Sequence, residues 1–288
     1  MTVIGTNVAS LRAANASTNA NAALSTAMQR LSTGQRINSA KDDAAGLAIS
    51  DTMTAQIRGM NQGIRNANDG IAMAQTAEGA LGEVSNMLQR VRELTVQATS
   101  GTYSTSDKAN MQAEVSALST QITSTLANTQ FNGNKLFDAS AGTVTAATSA
   151  PAPVAPAYST FKIQAGANAA DSVNVKFNKL TDDTTITNAT SIDLTTATNT
   201  ALATVDSALK TVSTYRAGLG AAQNQLQSAV NNLTTNSTNL TAAKSQITDA
   251  DFSSETTNLA KAHSLSQAST AMLAQANQSQ QGVMKLLQ

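Results

Sequence analysis

The chain has 288 residues, enough for one or two domains and a sizeable core. Only 12% of residues are charged and 3% aromatic, with no Trp, so the core has to be thin, as where Ala, Leu and Val interdigitate between helices. Eighteen basic residues balance 18 acidic ones with no basic stripe, which argues against nucleic-acid binding, and the absence of Cys excludes disulfides and thiolate metal sites. The opening MTVIGTNVASLR lacks a charged region followed by an apolar core, so it does not read as a secretory signal; export by a route without a cleaved signal stays open. No run approaches the roughly 18 consecutive apolar residues of a membrane helix, so no membrane partner is expected.

Along the chain, Ile4, Val8 and Leu11, then Leu24, Met28 and Leu31, form an interrupted apolar stripe. Gly34 and the run Asn38-Ser-Ala-Lys-Asp-Asp43 read as a helix break followed by a fresh N-cap. A seam in steps of three and four then runs through Ile64, Ala67, Ile71, Ala74, Glu78, Leu81, Val84, Leu88, Val91, Thr95 and Ala98, with Gly101 as a stop. A shorter helix follows, with Met111, Val115, Leu118, Ile122 and Leu126 on one face and Ser106 and Asp107 as expected caps.

The middle differs. All three prolines lie between Pro151 and Pro156, and residues 138–160 read as an Ala/Pro-rich, solvent-facing loop. Phe161 and Ile163, a Gly/Asn/Ala turn, then Val173, Val175 and Phe177 predict a β-hairpin over about 161–180. TITNATSIDLTT predicts a further short strand. The longest seam comes next: Leu202, Val205, Leu209, Val212, Arg216, Leu219, Gln223, Leu226, Val230, Leu233, Ser237, Leu240, Lys244 and Ile247. Ten of these fourteen are apolar, the pattern of a coiled coil rather than of a globular amphipathic face. A second break falls at Thr248-Asp-Ala-Asp-Phe252. A last stripe runs through Leu265, Ala268, Met272, Ala276, Val283 and Leu286. The fold class is therefore mainly α: a long antiparallel helical bundle or coiled coil with paired N- and C-terminal helices plus a small β-hairpin region.

Residues 1–29 and 262–288 carry only two full charges, Arg12 and Lys285. Each has too few large apolar groups to fold alone, which fits helices covered by neighbours on both faces. Chemistry is sparse. The single His263 has no Cys or carboxylate cluster to join it in a metal site and reads as an ordinary polar helix position. Asp42 and Asp43 beside Lys41 read as an ion-pair cluster rather than an acid/base pair. HExxH, GxSxG, P-loop and GxGxxG patterns are missing, so no catalytic residue, cofactor or metal is expected.

Several strings, in order, closely resemble flagellin, the subunit of the bacterial flagellar filament: MQRLSTGQRINSAKDDAAGLAIS (28–50), RNANDGIAMAQTAEGAL (65–81), LQRVRELTVQA (88–98), QFNGNKLF (130–137), YRAGLGAAQNQL (215–226), ITDADFSSETTNLAK (247–261) and MLAQANQ (272–278). The segment 161–173 is similar to the hairpin of the family's inner bundle domain. The resemblance implies residues 1–40 plus 252–288 as an inner terminal-helix domain lining the filament channel. It implies 41–137 plus 161–251 as a helical bundle domain with the hairpin, without the large outer domains of many members. It implies terminal-helix packing by Ile4, Val8, Leu11, Leu24, Met28, Leu31, Leu265, Met272, Val283 and Leu286. Implied partners are copies of itself in a helical homopolymer, the flagellar export apparatus and its chaperone, the filament cap and hook-junction proteins, and an innate immune receptor of the Toll-like class. The positions matching the receptor-recognition surface are Gln89, Arg90, Leu94 and Glu114, which equally suit subunit contact. The implied location is extracellular, in the filament, after secretion through the flagellar export channel.

Three rival readings stay open on sequence grounds. A hook–filament junction protein shares such terminal helices, but the long internal strings favour flagellin. A chemoreceptor signalling module is equally rich in Ala, Ser, Thr and Gln but needs a membrane segment and no hairpin. An enzyme hosted in the middle needs more chain than is present there.

Overall fold

The structure, a computed structural model, describes residues 6–138, 143–145, 158–168, 170–196 and 199–285. Among the described residues six helices and five short strands occur in the order α1 Val8–Thr33, α2 Ala44–Thr99, α3 Thr105–Asn128, β1 Gln130–Phe131, β2 Asn134–Lys135, β3 Thr143–Thr145, β4 Tyr158–Gln164, β5 Ser172–Asn178, α4 Thr184–Thr190, α5 Asn199–Thr248 and α6 Phe252–Lys285. Two compact units divide the chain: Met1–Gln56 with Thr238–Gln288, and Ile57–Ser237. The divisions fall inside α2 and α5; the connectors at 34–43 and 248–252 both lie in the first unit.

In the unit of residues 57–237, α2 and α5 run antiparallel, with Asn61 opposite Ser237 and Arg92 opposite Asp206. Every seam position named on α2 and on the 202–237 stretch of α5 is buried or half-buried. Leu81, Val84, Leu88 and Val91 are fully buried. Burying each such side chain contributes about 1.5–3 kcal/mol, which makes this seam the principal apolar core. Thr95 occupies a seam position at little cost because its hydroxyl donates to the Val91 carbonyl at 2.7 Å. The seam is not strictly regular: Leu81 and Val84 follow Glu78 in two successive steps of three, and both are buried, so the seam slips phase there.

The α3 face of Met111, Val115, Ile122 and Leu126 is buried, with Leu118 half-buried. Its cap differs from the expected one. Ser104 is the N-cap and Asp107 stands at the third helical position, each side chain accepting the other's backbone N–H, at 3.2 and 3.0 Å. The Ser104 hydroxyl, first, and its N–H hold the Asp107 carboxyl below its usual range. The box starts two residues earlier than expected because the Asp needs a hydroxyl three residues before it, and Ser104 supplies it.

The predicted hairpin is present as β4–β5, with Phe161 opposite Val175 and Ile163 opposite Val173. Its tip lies against α2. A Cβ at Gly63 would stand 2.8 Å from the Gly166 amide nitrogen, and one at Gly59 2.8 Å from Ala167 Cβ. Asn66 Nδ2 donates to the Gln164 carbonyl at 3.0 Å, so α2 offers a bare face plus one amide anchor.

Two readings of the middle need correction. Part of the 138–160 loop is strand, since β3 pairs antiparallel with β4; residues 139–142 and 146–157 lie outside the described residues. The strand predicted in TITNATSIDLTT is helix α4. Asp183 accepts from the Thr185 N–H at 2.9 Å as its N-cap, and Ile186 and Ala189, three apart, share the buried face. The following Ile192–Leu194 takes strand-like hydrogen bonds from a side chain: Gln112 Nε2 donates to the Ile192 carbonyl and Gln112 Oε1 accepts from the Leu194 N–H. The pair β1–β2 was not anticipated, although Asn132-Gly133, at φ 49° and 79°, is the left-handed dipeptide a two-residue hairpin turn demands.

Candidate assembly surface on the paired terminal helices

In the first unit the two connectors are stitched together. Gly34 ends α1 in the left-handed conformation at φ 70°. Its carbonyl accepts from the Ala250 N–H at 3.0 Å, and the Arg36 N–H donates to the Thr248 carbonyl at 2.7 Å. Arg36 Nη2 donates to the Ile247 carbonyl at 2.7 Å. Asp43 opens α2 by accepting from the Gly46 N–H, and Asp251 opens α6 by accepting from the Ser253 N–H. Asp42 accepts from the N–H groups of Asn38 and Ser39, which hold its carboxyl below the usual range. The expected ion-pair cluster is thus a set of turn anchors, with Arg36 and Asp43 at 4.0 Å as its ion pair.

Launched from this stitch, α1 and α6 pack antiparallel, as the expected pairing of the N- and C-terminal helices requires. Asn7 Nδ2 donates to the Ala276 carbonyl, Ser266 Oγ donates to Asn21 Oδ1, and Arg30 pairs with Glu255 at 3.8 Å. Glu255 is 8% exposed, so this pair closes a charge that burial would otherwise penalise. The seam steps by three and four through Ser10, Ala13, Ser17, Ala20, Leu24, Ala27 and Leu31, and through Glu255, Leu259, Ala262, Ser266, Ser269, Leu273 and Ala276; all are buried or half-buried. It is a seam of mostly small residues.

The residues expected to pack the terminal helices therefore separate. Leu24 and Leu31 lie in the seam, half-buried. Val8, Leu11, Met28, Leu265 and Met272 face away from it, at 48–63% exposure. Ile4, Leu286 and the side chain of Val283 lie outside the described residues. Alanines and serines make most of the closure, with Leu24, Leu31, Leu259 and Leu273 between them, and five large apolar groups stay outside, because small side chains allow backbones the closer approach. The only sequence signal for the inner stripe was a three–four spacing of alanines, drowned by alanines on every other face. Beside the outward groups run shallow clefts lined by Ala9, Ala13, Ala16, Ala268 and Met272, and by Ala20, Ala23, Ala27, Ala262 and Leu265.

The second candidate surface lies on α2 and α3. Arg90 Nε donates to Glu114 Oε1 at 2.8 Å and its Nη1 to Glu93 Oε2 at 2.9 Å, an arrangement that holds the guanidinium firmly charged. Gln89, Arg90 and Glu114 are exposed. Leu94 is not: at 2% exposure it packs with Val91, Val115, Leu194 and Val205 and is core, not surface. Among the described residues no cluster of His, Cys, Asp or Glu suits a metal, and no helix is long and apolar enough to cross a membrane. His263 is exposed.

Residues 4–142 match the bacterial flagellin N-terminal helical region and residues 202–287 the bacterial flagellin C-terminal helical region. A flagellin of Halalkalibacterium halodurans is 42% identical over 263 residues, 91% of this chain and 90% of that one. The chain belongs to the bacterial flagellin family. A flagellin of Bacillus subtilis is likewise 42% identical over 310 aligned positions, 99% of each chain. Against the phase 1 flagellin of Salmonella naestved the identity is 43% over 178 residues, 62% of this chain but 32% of that one, so this is a short flagellin. Among solved structures, the crystal structure of Bacillus cereus flagellin is similar at a TM-score of 0.47 and 28% identity, covering 62% of this chain and 94% of that one. As a flagellin the chain is a structural subunit of the flagellar filament, assembling with copies of itself, and not an enzyme.

Proposed function

We propose that this flagellin polymerises into a helical tube that serves swimming motility, through subunit contacts made by the outward faces of α1 and α6. One observation carries the reading. The helix pair closes its own seam mainly with Ala and Ser, together with four half-buried leucines, yet keeps Val8, Leu11, Met28, Leu265 and Met272 exposed on helices with few charges. Apolar groups left outside a helix pair with few charges are suited to burial against further copies. Contacts between unlike faces that do not close on themselves give an open helical polymer.

In this reading residues 1–40 and 252–288 form the innermost layer around the channel, and 41–137 with 161–251 the next. Secretion runs through the flagellar export channel in unfolded form, with the export apparatus and a chaperone as partners; cap and hook-junction proteins contact the growing and basal ends. A chain without Cys and with weakly closed ends suits that route.

The test is seeded polymerisation followed by electron microscopy. Leu11→Asp with Met272→Asp, both exposed, is expected to leave the monomer's helicity unchanged and to abolish filaments. Filaments forming at the unaltered rate would sink the assignment.

A second reading concerns the soluble monomer, as a ligand of a Toll-like innate immune receptor. Its support is the exposed, ordered array Gln89, Arg90 and Glu114. Leu94 drops out of direct contact because it is buried. Arg90→Ala with Glu114→Ala is expected to weaken receptor activation by monomer; an unchanged dose response removes the assignment.

A further inference from the structure

The chain has nine methionines and neither Cys nor Trp, so thioethers are the side chains that a peroxide oxidises first. The fold exposes them very unequally. Met73 and Met111 are 5% and 9% exposed, inside the bundle unit. Met53, Met60 and Met87 are half-buried. Met28 on α1 and Met272 on α6 are 57% and 63% exposed, and both belong to the outward apolar set of the terminal helix pair. Met1 and the side chain of Met284 lie outside the described residues. Among the described residues, then, the two most accessible thioethers stand on the face that assembly would bury.

Oxidation changes what these two side chains bring to a contact. A peroxide transfers one oxygen atom to the thioether sulfur: its O–O bond breaks, an S–O bond forms, sulfur gives up two electrons and the remaining oxygen leaves as water. The product is a polar sulfoxide whose oxygen accepts hydrogen bonds. In the free chain water supplies the donors, so the monomer's fold has no reason to change. Buried against another copy, the sulfoxide loses that water. The cleft beside Met272 is lined largely by Ala9, Ala13, Ala16 and Ala268, which offer no side-chain donor, with Arg12 and Gln275 as its longer polar groups. A buried acceptor short of donors is penalised where a buried thioether is favourable. Leu11 and Leu265 belong to the same outward set and are inert to peroxide, so the sensitivity of this face falls on two positions.

We propose that Met28 and Met272 are oxidation sites that gate assembly: as thioethers they admit the chain to the polymer, as sulfoxides they withhold it, and burial in the polymer shields them from peroxide. The inference rests on the outward faces of α1 and α6 being the subunit contact. Methionine sulfoxide is reducible by two enzymes, one for each sulfur epimer, so the modification is reversible.

The test treats the full-length monomer with dilute hydrogen peroxide and maps sulfoxide at each position by peptide mass spectrometry. Met28 and Met272 are expected to oxidise at least about tenfold faster than Met73 and Met111, with circular dichroism unchanged. Equal rates overturn the proposal. Monomer oxidised at these two positions should need a roughly tenfold higher concentration for seeded polymerisation, and treatment with both sulfoxide reductases should restore the original value. Complete oxidation of Met28 and Met272 without a change in that concentration overturns the proposal, as does a loss that mapped reduction fails to reverse. Two variants locate the effect. Met53→Leu with Met60→Leu and Met87→Leu should keep the sensitivity. Met28→Leu with Met272→Leu, compared with itself before and after peroxide, should lose it; the reverse pattern overturns the proposal, and if this variant does not polymerise, the reductase arm decides. Preformed filaments separate the two readings. Met28 and Met272 oxidising as fast in filaments as in monomer would remove the subunit-contact reading and this inference with it. Protection in filaments, together with assembly indifferent to prior oxidation, would overturn this inference alone.

Discussion

The two helix pairs of this flagellin share a spacing and differ in side-chain size. Both α1–α6 and α2–α5 are antiparallel, and both step by three and four, apart from the phase slip at Leu81 and Val84. Along α2 and the 202–237 part of α5 the steps land on Leu, Val and Ile, which the pair buries against α3 and the hairpin. Along α1 and α6 they land mainly on Ala and Ser with four half-buried leucines, and Val8, Leu11, Met28, Leu265 and Met272 are turned outward. A buried Leu contributes about 1.5–3 kcal/mol where a buried methyl contributes about 0.8 kcal/mol. The bundle unit thus holds itself together, whereas the terminal pair gains less from its own closure and leaves Val8, Leu11, Met28, Leu265 and Met272 exposed.

The largest expected difference between the regions is at the seams. Leu88→Ala should destabilise the unit of residues 57–237 by about 3 kcal/mol, because the fully buried site cannot collapse on the cavity, while Leu24→Ala in the half-buried terminal seam should cost about 1 kcal/mol. Urea unfolding followed by circular dichroism reads both; equal losses would erase the contrast. Next come two glycines of α2. Gly63→Ala drives a methyl into the Gly166 backbone and should cost about 2 kcal/mol, and Gly79→Ala, with open space around it, should add about 1 kcal/mol. A loss at both positions would mean that helix propensity is not what distinguishes them.

Smaller still is the outward stripe. Met272→Ala should shift the monomer's unfolding free energy by less than about 0.5 kcal/mol, since its side chain is already in water, and should raise the concentration needed for polymerisation. A monomer clearly destabilised by this change would place Met272 in intramolecular packing. The smallest effect is acid dependence. Asp42 in the first unit and Asp107 in the second both have lowered carboxyl pKa values, from backbone N–H groups at Asp42 and chiefly from the Ser104 hydroxyl at Asp107. A lowered folded-state value gives stability that is full above the ordinary carboxylate value of about 3.9 and is lost as pH falls from there through the lowered folded-state value. Asp107→Asn should therefore lower the stability of the second unit at pH 6, by an amount that shrinks as pH falls below about 3.9. A deficit that persists in acid would trace to geometry rather than charge.

Much of this architecture was legible because the responsible signals are local. The long seams, the break at Gly34 and the alternation of β4–β5 each depend on residues near in sequence, and each is present. The segment after Thr184 was misread because β-branched residues alternate there, while burial of Ile186 and Ala189 on one face and the Asp183 cap favour helix. The β1–β2 turn carried its signal in Asn132-Gly133. Leu94 was misplaced because a surface inferred by resemblance was carried over residue by residue, and only the packing of α2 against α3 and the 192–194 segment shows which side of the helix it faces.

The sequence by itself determined the helical period, the hairpin, the chemistry that is missing and the family, all of which follow from residue type and spacing along the chain. Tertiary structure alone decided which stripe of α1 and α6 turns inward. An alanine-rich helix offers several near-equivalent faces, and the choice between them is made only when a second helix, set at a fixed offset by the Gly34–Ala250 and Arg36–Thr248 hydrogen bonds, comes close enough for small side chains to interlock.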